Sequence, residues 1–484
     1  MALMTPQQFE ESLKNVKPRV FMNGELVENI LENRNTRTVV EANKASYEWA
    51  LDERYKDIMT CYSPLINDTV NRYTHVSASV KDLVAKAEAG TFTAEMLGTC
   101  IYRCVGYDSF HSLYATTWEM DKELGTEYHP RLLEYLKMVQ TKDLSVAGAL
   151  TESRGSRSEK TGEWPDPFLS LKIVDKNKDG IVVKGAKINI SGAFGSHWIN
   201  VLPQAAHFKG EEDYAVAFAT PVDAKGITYI CQYTPNSAER DQATDMEELG
   251  NPLYGQRETS MVVFDNVFVP WERVFLCGEY QYAGKMVTRF ARTHRMTCGG
   301  TCKVGFMNQI IGACKLIQEY KGMQKATHIN DELMEMVVLR EQCRACGMAA
   351  AQKGGEEPAG SGVFLPDELM GNVSKLTVAP AFWRILALAG DIGGGLIVTL
   401  PSLKELKNPE VKDYVNEYLK FGSNTSAENI MKVTKLLQNW TSGLHGVGTW
   451  HGAGPLMAQK IMLQRVINYD HEKWIAKRTL NIKD

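Results

Sequence analysis

The stretch Lys178-Asp-Gly-Ile-Val-Val-Lys-Gly-Ala-Lys-Ile188 decides how the rest of the chain is read. Asp-Gly is a strong hairpin turn, because glycine takes the positive φ of a tight loop without steric cost. The β-branched run behind it suits a pleated, half-buried surface. In front of it, Phe168-Leu-Ser-Leu-Lys-Ile-Val174 is strand-like for the same reason. Further strands fit 215–219, 227–231 and 260–264, and Asp265-Asn-Val-Phe-Val-Pro270 ends the run. Residues 149–275 are therefore expected to form a compact β domain.

On both sides of this region the apolar period becomes that of helices. Upstream, helices fit 6–14, 37–50, 82–89 and 129–142, with Gly90 and Gly98 as punctuation. Thr5 is the N-cap of the first, Pro6 its N1 residue and Gln8 its N3 residue. Downstream, four long helices fit 280–316, 329–353, 367–391 and 425–441, with 354–362 as a glycine-rich loop. Packing four amphipathic stripes together gives a bundle. The expected class is α+β: helical residues 1–148, β residues 149–275, and a helical bundle over 276–484.

At 484 residues the chain is long enough for two or three domains. Its 44% hydrophobic and 23% charged content is ordinary for a globular protein. A net charge of −4 gives no reason to expect a nucleic-acid partner. The start has no basic segment followed by an apolar run, and no apolar run of membrane length stands out. A cytoplasmic location is expected. Ten cysteines are then expected to be reduced. Cys61, Cys231, Cys277 and Cys314 sit singly in apolar surroundings and read as core. Cys343-Arg-Ala-Cys346 lies in an amphipathic pattern, so packed side chains compete there with a redox pair or metal half-site.

One stretch carries more chemistry: Phe290-Ala-Arg-Thr-His-Arg-Met-Thr-Cys-Gly-Gly-Thr-Cys-Lys-Val-Gly305. His294, Cys298 and Cys302 follow at four-residue steps, which on a helix is one face. Cys100 and Cys104 form a second such pair. Thiolates hold iron–sulfur clusters and histidine can replace one of them, but two cysteines on a helix face are also ordinary packing. Four loops add weaker signals. Thr151-Glu-Ser-Arg-Gly-Ser-Arg157 can offer backbone N–H groups and guanidinium charge to a diphosphate, or be a plain linker. Ser191-Gly-Ala-Phe-Gly-Ser-His197 can approach a planar ligand or be a bulged turn. Gly390-Asp-Ile-Gly-Gly-Gly395 lacks the preceding strand of a dinucleotide fold, yet a break between helices can hold phosphate. His445–Gly454 can line a pocket or allow close helix packing. His75 and His328 read as satisfied or surface residues.

Taken together, these residues resemble the 4-hydroxybutyryl-CoA dehydratases, within the wider flavoprotein family that includes the 4-hydroxyphenylacetate 3-hydroxylases. The likeness runs nearly end to end, through Arg103-Cys-Val-Gly106, Asp179–Lys187, Asp213–Val216, Val262–Phe268, Cys302-Lys-Val-Gly305 and His451-Gly-Ala-Gly454. Helices, strands, then a bundle is also the order of acyl-CoA dehydrogenase-like proteins. The resemblance implies a hydro-lyase, with possible isomerase activity, acting on a hydroxyacyl-CoA-type substrate. It implies FAD beside a 4Fe–4S cluster held by Cys100, Cys104, His294 and Cys302, and catalysis by His294, Lys303 and Glu258. It implies flavin contacts from Thr151, Arg154, Gly155, Arg157, Ser191 and Gly192. Asp391, Gly393 and Gly394 would reach a neighbour's flavin in a homotetramer.

The chain also departs from that pattern. It has one residue more between His294 and Cys302, and Cys298 stands where the family has tyrosine. One family glutamate falls on Thr259, or on Glu258 with a gap, and another on Gly448. These changes leave Cys298 or Cys302 as the third thiolate ligand, and leave the acyl group open. A flavin-dependent phenol monooxygenase without a cluster and a non-dehydrating paralogue are the rival readings.

Overall fold

The computed structural model describes residues 2–153, 155–156, 158–233, 243, 246–422 and 424–482, apart from the His445 side chain. Helix α1 (Pro6–Leu13) starts at the expected cap. Gln8 N–H donates to Thr5 Oγ1 at 3.1 Å and Thr5 N–H to Gln8 Oε1 at 2.8 Å. Strands β1 (Val20–Met22) and β2 (Glu25–Val27) follow, then α2 (Arg34–Leu51), α3 (Lys56–Met59) and the hairpin β3 (Thr60–Ser63)–β4 (Asp68–Asn71). The region closes with α4 (Val80–Leu97), α5 (Cys104–Leu124) and α6 (Tyr128–Thr141).

The four short strands were not expected in the helical N-terminal region. At three or four residues they are too short to display an alternation. Gly90 does not interrupt α4. A Cβ there would come within 3.2 Å of Thr301 Oγ1, so it serves close helix packing. Gly98 does end the helix, in the left-handed conformation at φ +61°.

The strands β5 (Val146–Ala149), β6 (Lys172–Lys176), β7 (Gly180–Ser191), β8 (Trp198–Val201), β9 (Val216–Pro221), β10 (Ile227–Cys231), β11 (Thr259–Pro270) and β12 (Val274–Cys277) build two sheets. One has the order β2-β1-β10-β11-β7-β6, the other β12-β9-β8-β5. β1–β10 and β5–β8 are parallel, and the other pairs are antiparallel. Phe218 on β9 meets the Phe264 ring on β11 edge-on at 6.0 Å, which joins the sheets.

The expected strand from Phe168 begins only at Lys172, behind Pro165 and Pro167. Residues 265–270 do not end the region. They are the second half of β11, which bulges at Asn266 (φ +53°) and pairs again from Val267↔Val183 to Pro270↔Gly180.

The C-terminal part holds α7 (Tyr280–Met296), α8 (Cys302–Tyr320), α9 (Thr327–Gln352), the pair β13 (Gly355–Glu356)–β14 (Phe364–Leu365), α10 (Glu368–Gly393), α11 (Leu396–Thr399), α12 (Lys412–Tyr418), α13 (Ala427–Thr441), α14 (Leu444–His451), α15 (Leu456–Val466) and α16 (Asp470–Thr479). Trp440 is at the centre of the core, with the rings of Phe306 and Phe382 at 5.0 and 6.1 Å. The single helix expected over 280–316 is two, split by a π-turn at Thr297–Thr301. Helix α10 corrects another expectation. It is long and apolar enough to cross a membrane, with mean hydropathy 1.3, although 56% of that window is buried in the protein. Among the described residues no cysteine forms a disulfide; Cys314 is buried as expected, but Cys61, Cys231 and Cys277 are only partly so.

A thiol-lined candidate active site

Two breaks in the helices bring the sulfurs together. Cys104 opens α5, and Cys100 stands before the helix in an irregular turn, not on its face as the spacing suggested. Arg103 anchors that turn. Its buried guanidinium donates from Nη1 to Ser46 Oγ at 2.8 Å and lies over the Tyr47 ring. Gly106 lets α5 touch the sheet, since a Cβ there would be 2.0 Å from the Val146 carbonyl oxygen. The motif Arg103-Cys-Val-Gly106 is thus a mounting for Cys104.

The other break is the π-turn carrying Cys298. Gly299 and Gly300 permit it to press against α10 and the 453 turn. A Cβ on Gly299 would sit 2.9 Å from Ala453 Cβ, and one on Gly300 2.4 Å from Ser374 Oγ. Such one-turn π insertions are frequent at functional sites.

Cys100, Cys104, Cys298 and Cys302 line one cavity with Tyr73, Ile101, Tyr107 and Phe306, and with Lys86, Asp108 and Thr297. Cys298 is hydrogen-bonded to both Cys104 and Cys302, which drives its thiol well below the ordinary value and theirs well above it. The three thiols therefore do not titrate independently of one another. His294 adjoins them, hydrogen-bonded to Cys298 and, through Nδ1, to Asp108 Oδ2 at 2.6 Å. Burial opposes its charge, but Cys298 and Asp108 outweigh that and hold its pKa up at about 9.

Cations surround the sulfurs. Lys303 Nζ donates to Cys302 Sγ at 3.6 Å, and the neighbouring sulfurs keep it charged against its burial. Arg257 is likewise held protonated against burial by Cys100 and Cys298, and its Nη2 donates to Ser191 Oγ at 3.1 Å. Lys375, wholly buried, donates to the Thr449 carbonyl. Burial first, then the Lys303 charge, lowers it to about 7.

This donor set suits iron and sulfide. Among the described residues no three His, Cys, Asp or Glu side chains close on one point as the ligands of a single ion do. Four sulfurs instead stand around a hollow with an imidazole beside them, as ligands to different irons of one cluster must.

The other expected site residues divide. Ser191 and Gly192 reach this centre. Gly192 has φ +49°, and a Cβ on it would be 2.3 Å from the Tyr102 ring, next to Ile101 of the cavity lining. Glu258 is buried beside it, its N–H donating to Tyr102 Oη at 3.1 Å. Thr151 borders the same strand through its carbonyl, which accepts from Ile188 N–H at 2.7 Å. Gly155 packs under Trp164, where a Cβ would be 2.7 Å from the ring. Arg154 and Arg157 lie outside the described residues. Asp391, Gly393 and Gly394 are at the far end of α10. Their partners there are Glu332, Lys321 and Ile397, not the thiols. In the 445–454 segment, Gly448 faces Arg257, whose Nη1 lies 2.5 Å from where a Cβ would be. His197 is structural, bridging Ser12 and Ser145.

Sequence reasoning missed Lys86, Asp108, Arg257 and Lys375. Two of them had a signal. Asp108 follows Cys104 at the next four-residue step, and Lys375 is a lone charge in the apolar run of α10.

The pattern 4-hydroxyphenylacetate 3-hydroxylase N terminal matches residues 5–276, and the corresponding C-terminal pattern matches residues 283–481. The chain belongs to this family. Within it, the chain is 39% identical to the 4-hydroxybutyryl-CoA dehydratase/vinylacetyl-CoA-Delta-isomerase of Clostridium aminobutyricum, over 99% of this chain and 100% of that one. It also superposes on an oxygen-tolerant archaeal 4-hydroxybutyryl-CoA dehydratase from N. maritimus with TM-score 0.95 and 36% identity, covering 100% and 96% of the two chains. The 4-hydroxyphenylacetate 3-monooxygenase oxygenase component of Thermus thermophilus is more distant, at 23% identity over 92% of this chain and 89% of that one. An FAD complex of such an oxygenase shares the fold at TM-score 0.86 and 21% identity, covering 99% and 98%.

Proposed function

We propose that the chain is an FAD- and 4Fe–4S-dependent dehydratase that removes water from a 4-hydroxyacyl-CoA thioester and shifts the resulting double bond. The observation that carries this reading is the convergence of Cys100, Cys104, Cys298 and Cys302 on one cavity with His294 hydrogen-bonded to Cys298, in a chain 39% identical from end to end to a dehydratase/isomerase. The cluster ligands in this reading are Cys100, Cys104, His294 and Cys302, with Cys298 as the alternative to Cys302. Bound there, the cluster offers a Lewis acid to a departing hydroxide, and flavin the redox step that makes the weakly acidic β-proton removable.

The chain's own side chains do the rest. Asp108 accepts from His294 Nδ1, so Nε2 is the nitrogen that binds a metal or exchanges a proton once the ring is neutral. Lys303 holds positive charge against the Cys302 sulfur. Glu258, buried next to Tyr102 and one residue before Thr259, which pairs with Ser191, is the carboxylate that holds a substrate proton in this reading. Tyr73, Ile101, Tyr107 and Phe306 keep water from the sulfurs. Thr151, Arg154, Gly155, Arg157, Ser191 and Gly192 are the flavin contacts in this reading, and Asp391, Gly393 and Gly394 meet a neighbour's flavin within a homotetramer. The position of the 391–394 break, at the end of α10 away from the thiols of its own chain, supports that last role.

Anaerobically purified protein is expected to carry about four iron per chain and flavin, and to convert 4-hydroxybutyryl-CoA into an enoyl thioester. A yellow, iron-free protein that consumes oxygen with reduced flavin and a phenol would overturn the reading in favour of a monooxygenase.

A further inference from the structure

The polar groups behind His294 form a line that ends in the protein core. Asp108 is 1% exposed and Lys86 also 1%. Lys86 Nζ stands 2.7 Å from Asp108 Oδ1 and over the Tyr107 ring. Oδ2 of the same carboxylate accepts from Thr297 Oγ1 at 3.1 Å and lies 2.6 Å from His294 Nδ1. The line draws on three separate elements, α4, α5 and the α7/π-turn junction.

We infer that Asp108, held by Lys86 and Thr297, is the positioning residue that fixes the tautomer and ring plane of His294 for cluster binding. This rests on the cluster reading above. A carboxylate facing a lysine ammonium and a threonine hydroxyl is an acceptor only, so the imidazole must place its hydrogen on Nδ1. In the neutral imidazole, the form that binds a metal, the lone pair then belongs to Nε2. Carboxylate partners of this kind set the orientation and basicity of metal-bound histidines.

Lys86 has a distinct part. A buried carboxylate serving the histidine alone would be costly to keep charged. The ion pair, on the wall of the thiol cavity, gives Asp108 a countercharge besides His294, so the carboxylate remains an acceptor whatever His294 binds. Thr297 ties the carboxylate to the residue preceding Cys298. The histidine and the π-turn thiol are thereby registered to one oxygen.

The test compares wild type, Asp108→Asn and Thr297→Val, each purified anaerobically. Iron and flavin content, the electron paramagnetic resonance of the reduced protein, and the rate of iron loss to bipyridyl are measured. Asp108→Asn is expected to keep its flavin and melting temperature, to lose iron about 10–100-fold faster, and to show an altered resonance. Thr297→Val should shift loss rate and resonance in the same direction by less. Asp108→Asn with wild-type loss rate and spectrum would overturn the inference, as would destabilised protein with an unchanged spectrum. If Asp108→Asn does not fold, Thr297→Val decides: an unchanged rate and spectrum refute the positioning role. Wild type without iron would instead overturn the cluster reading itself.

Discussion

Cys100/Cys104 and Cys343/Cys346 are two cysteine pairs, separated by three and two residues, and the molecule sets them in different surroundings. Cys343 is buried among apolar side chains of α9, and burial pushes its thiol up to about 12. Cys346 donates to the Thr377 hydroxyl at 3.7 Å. Around Cys104 are two more thiols, an imidazole and the charges of Lys303 and Arg257. Spacing is nearly the same in both pairs. The difference lies in what else arrives, and a thiol becomes a ligand only where positive charge and further donors reward the thiolate.

The largest test of that contrast is truncation of one sulfur from each set. Cys104→Ala is expected to lose its iron and at least about 10³-fold of its turnover. Cys343→Ala should keep both and lose only about 1–2 kcal/mol of stability. Iron assay, activity and urea unfolding on the two variants decide it, and equal losses would erase the distinction.

Within the cavity, Cys302→Ser and Cys298→Ser separate the two candidates for the third thiolate ligand. Because Lys303 stands against Cys302, Cys302→Ser is expected to lower iron content, and Cys298→Ser to retain it with an altered spectrum. The reverse result would give the ligand role to Cys298. Next in size is Lys303→Met, expected to retain flavin while activity falls about 10²–10⁴-fold, measured as kcat at saturating thioester.

The same contrast explains how much could be read beforehand. Helix and strand types followed from local period and turn chemistry, as at Thr5–Gln8 and Asp179–Gly180. Strands β1 and β5 did not, because their parallel partners, Tyr229–Ile230 and 198–201, are far away in sequence and no local pattern marks such pairing. The thiol set was visible as spacing, but on the wrong geometry. Cys100 is off the helix, and a π-turn separates His294 from Cys302. Lys86 escaped notice because a lysine on an amphipathic helix is normally solvated; only the fold shows that it faces the carboxylate of Asp108.

The smallest effects come from titration. In iron-free protein, the depressed thiol of Cys298 is expected to react with iodoacetamide at neutral pH, while Cys343 stays inert until the chain unfolds. Peptide mapping reads both. The raised thiol of Cys343 has a further consequence, whose sign follows from linkage. Above the ordinary cysteine pKa of about 8.5 the unfolded chain releases this proton, whereas the folded chain keeps it to about 12. The unfolded state then binds fewer protons, so stability falls as pH rises through that window. The slope from this one group approaches about 1.4 kcal/mol per pH unit. Cys343→Ala lacks the term, while the lysines and tyrosines of both proteins titrate alike. The stability gap between wild type and variant is therefore expected to narrow by about 1 kcal/mol between pH 9 and 10 in urea midpoints. A constant gap would mean that Cys343 reaches solvent in the folded chain, and that the two cysteine sets differ less than their surroundings indicate.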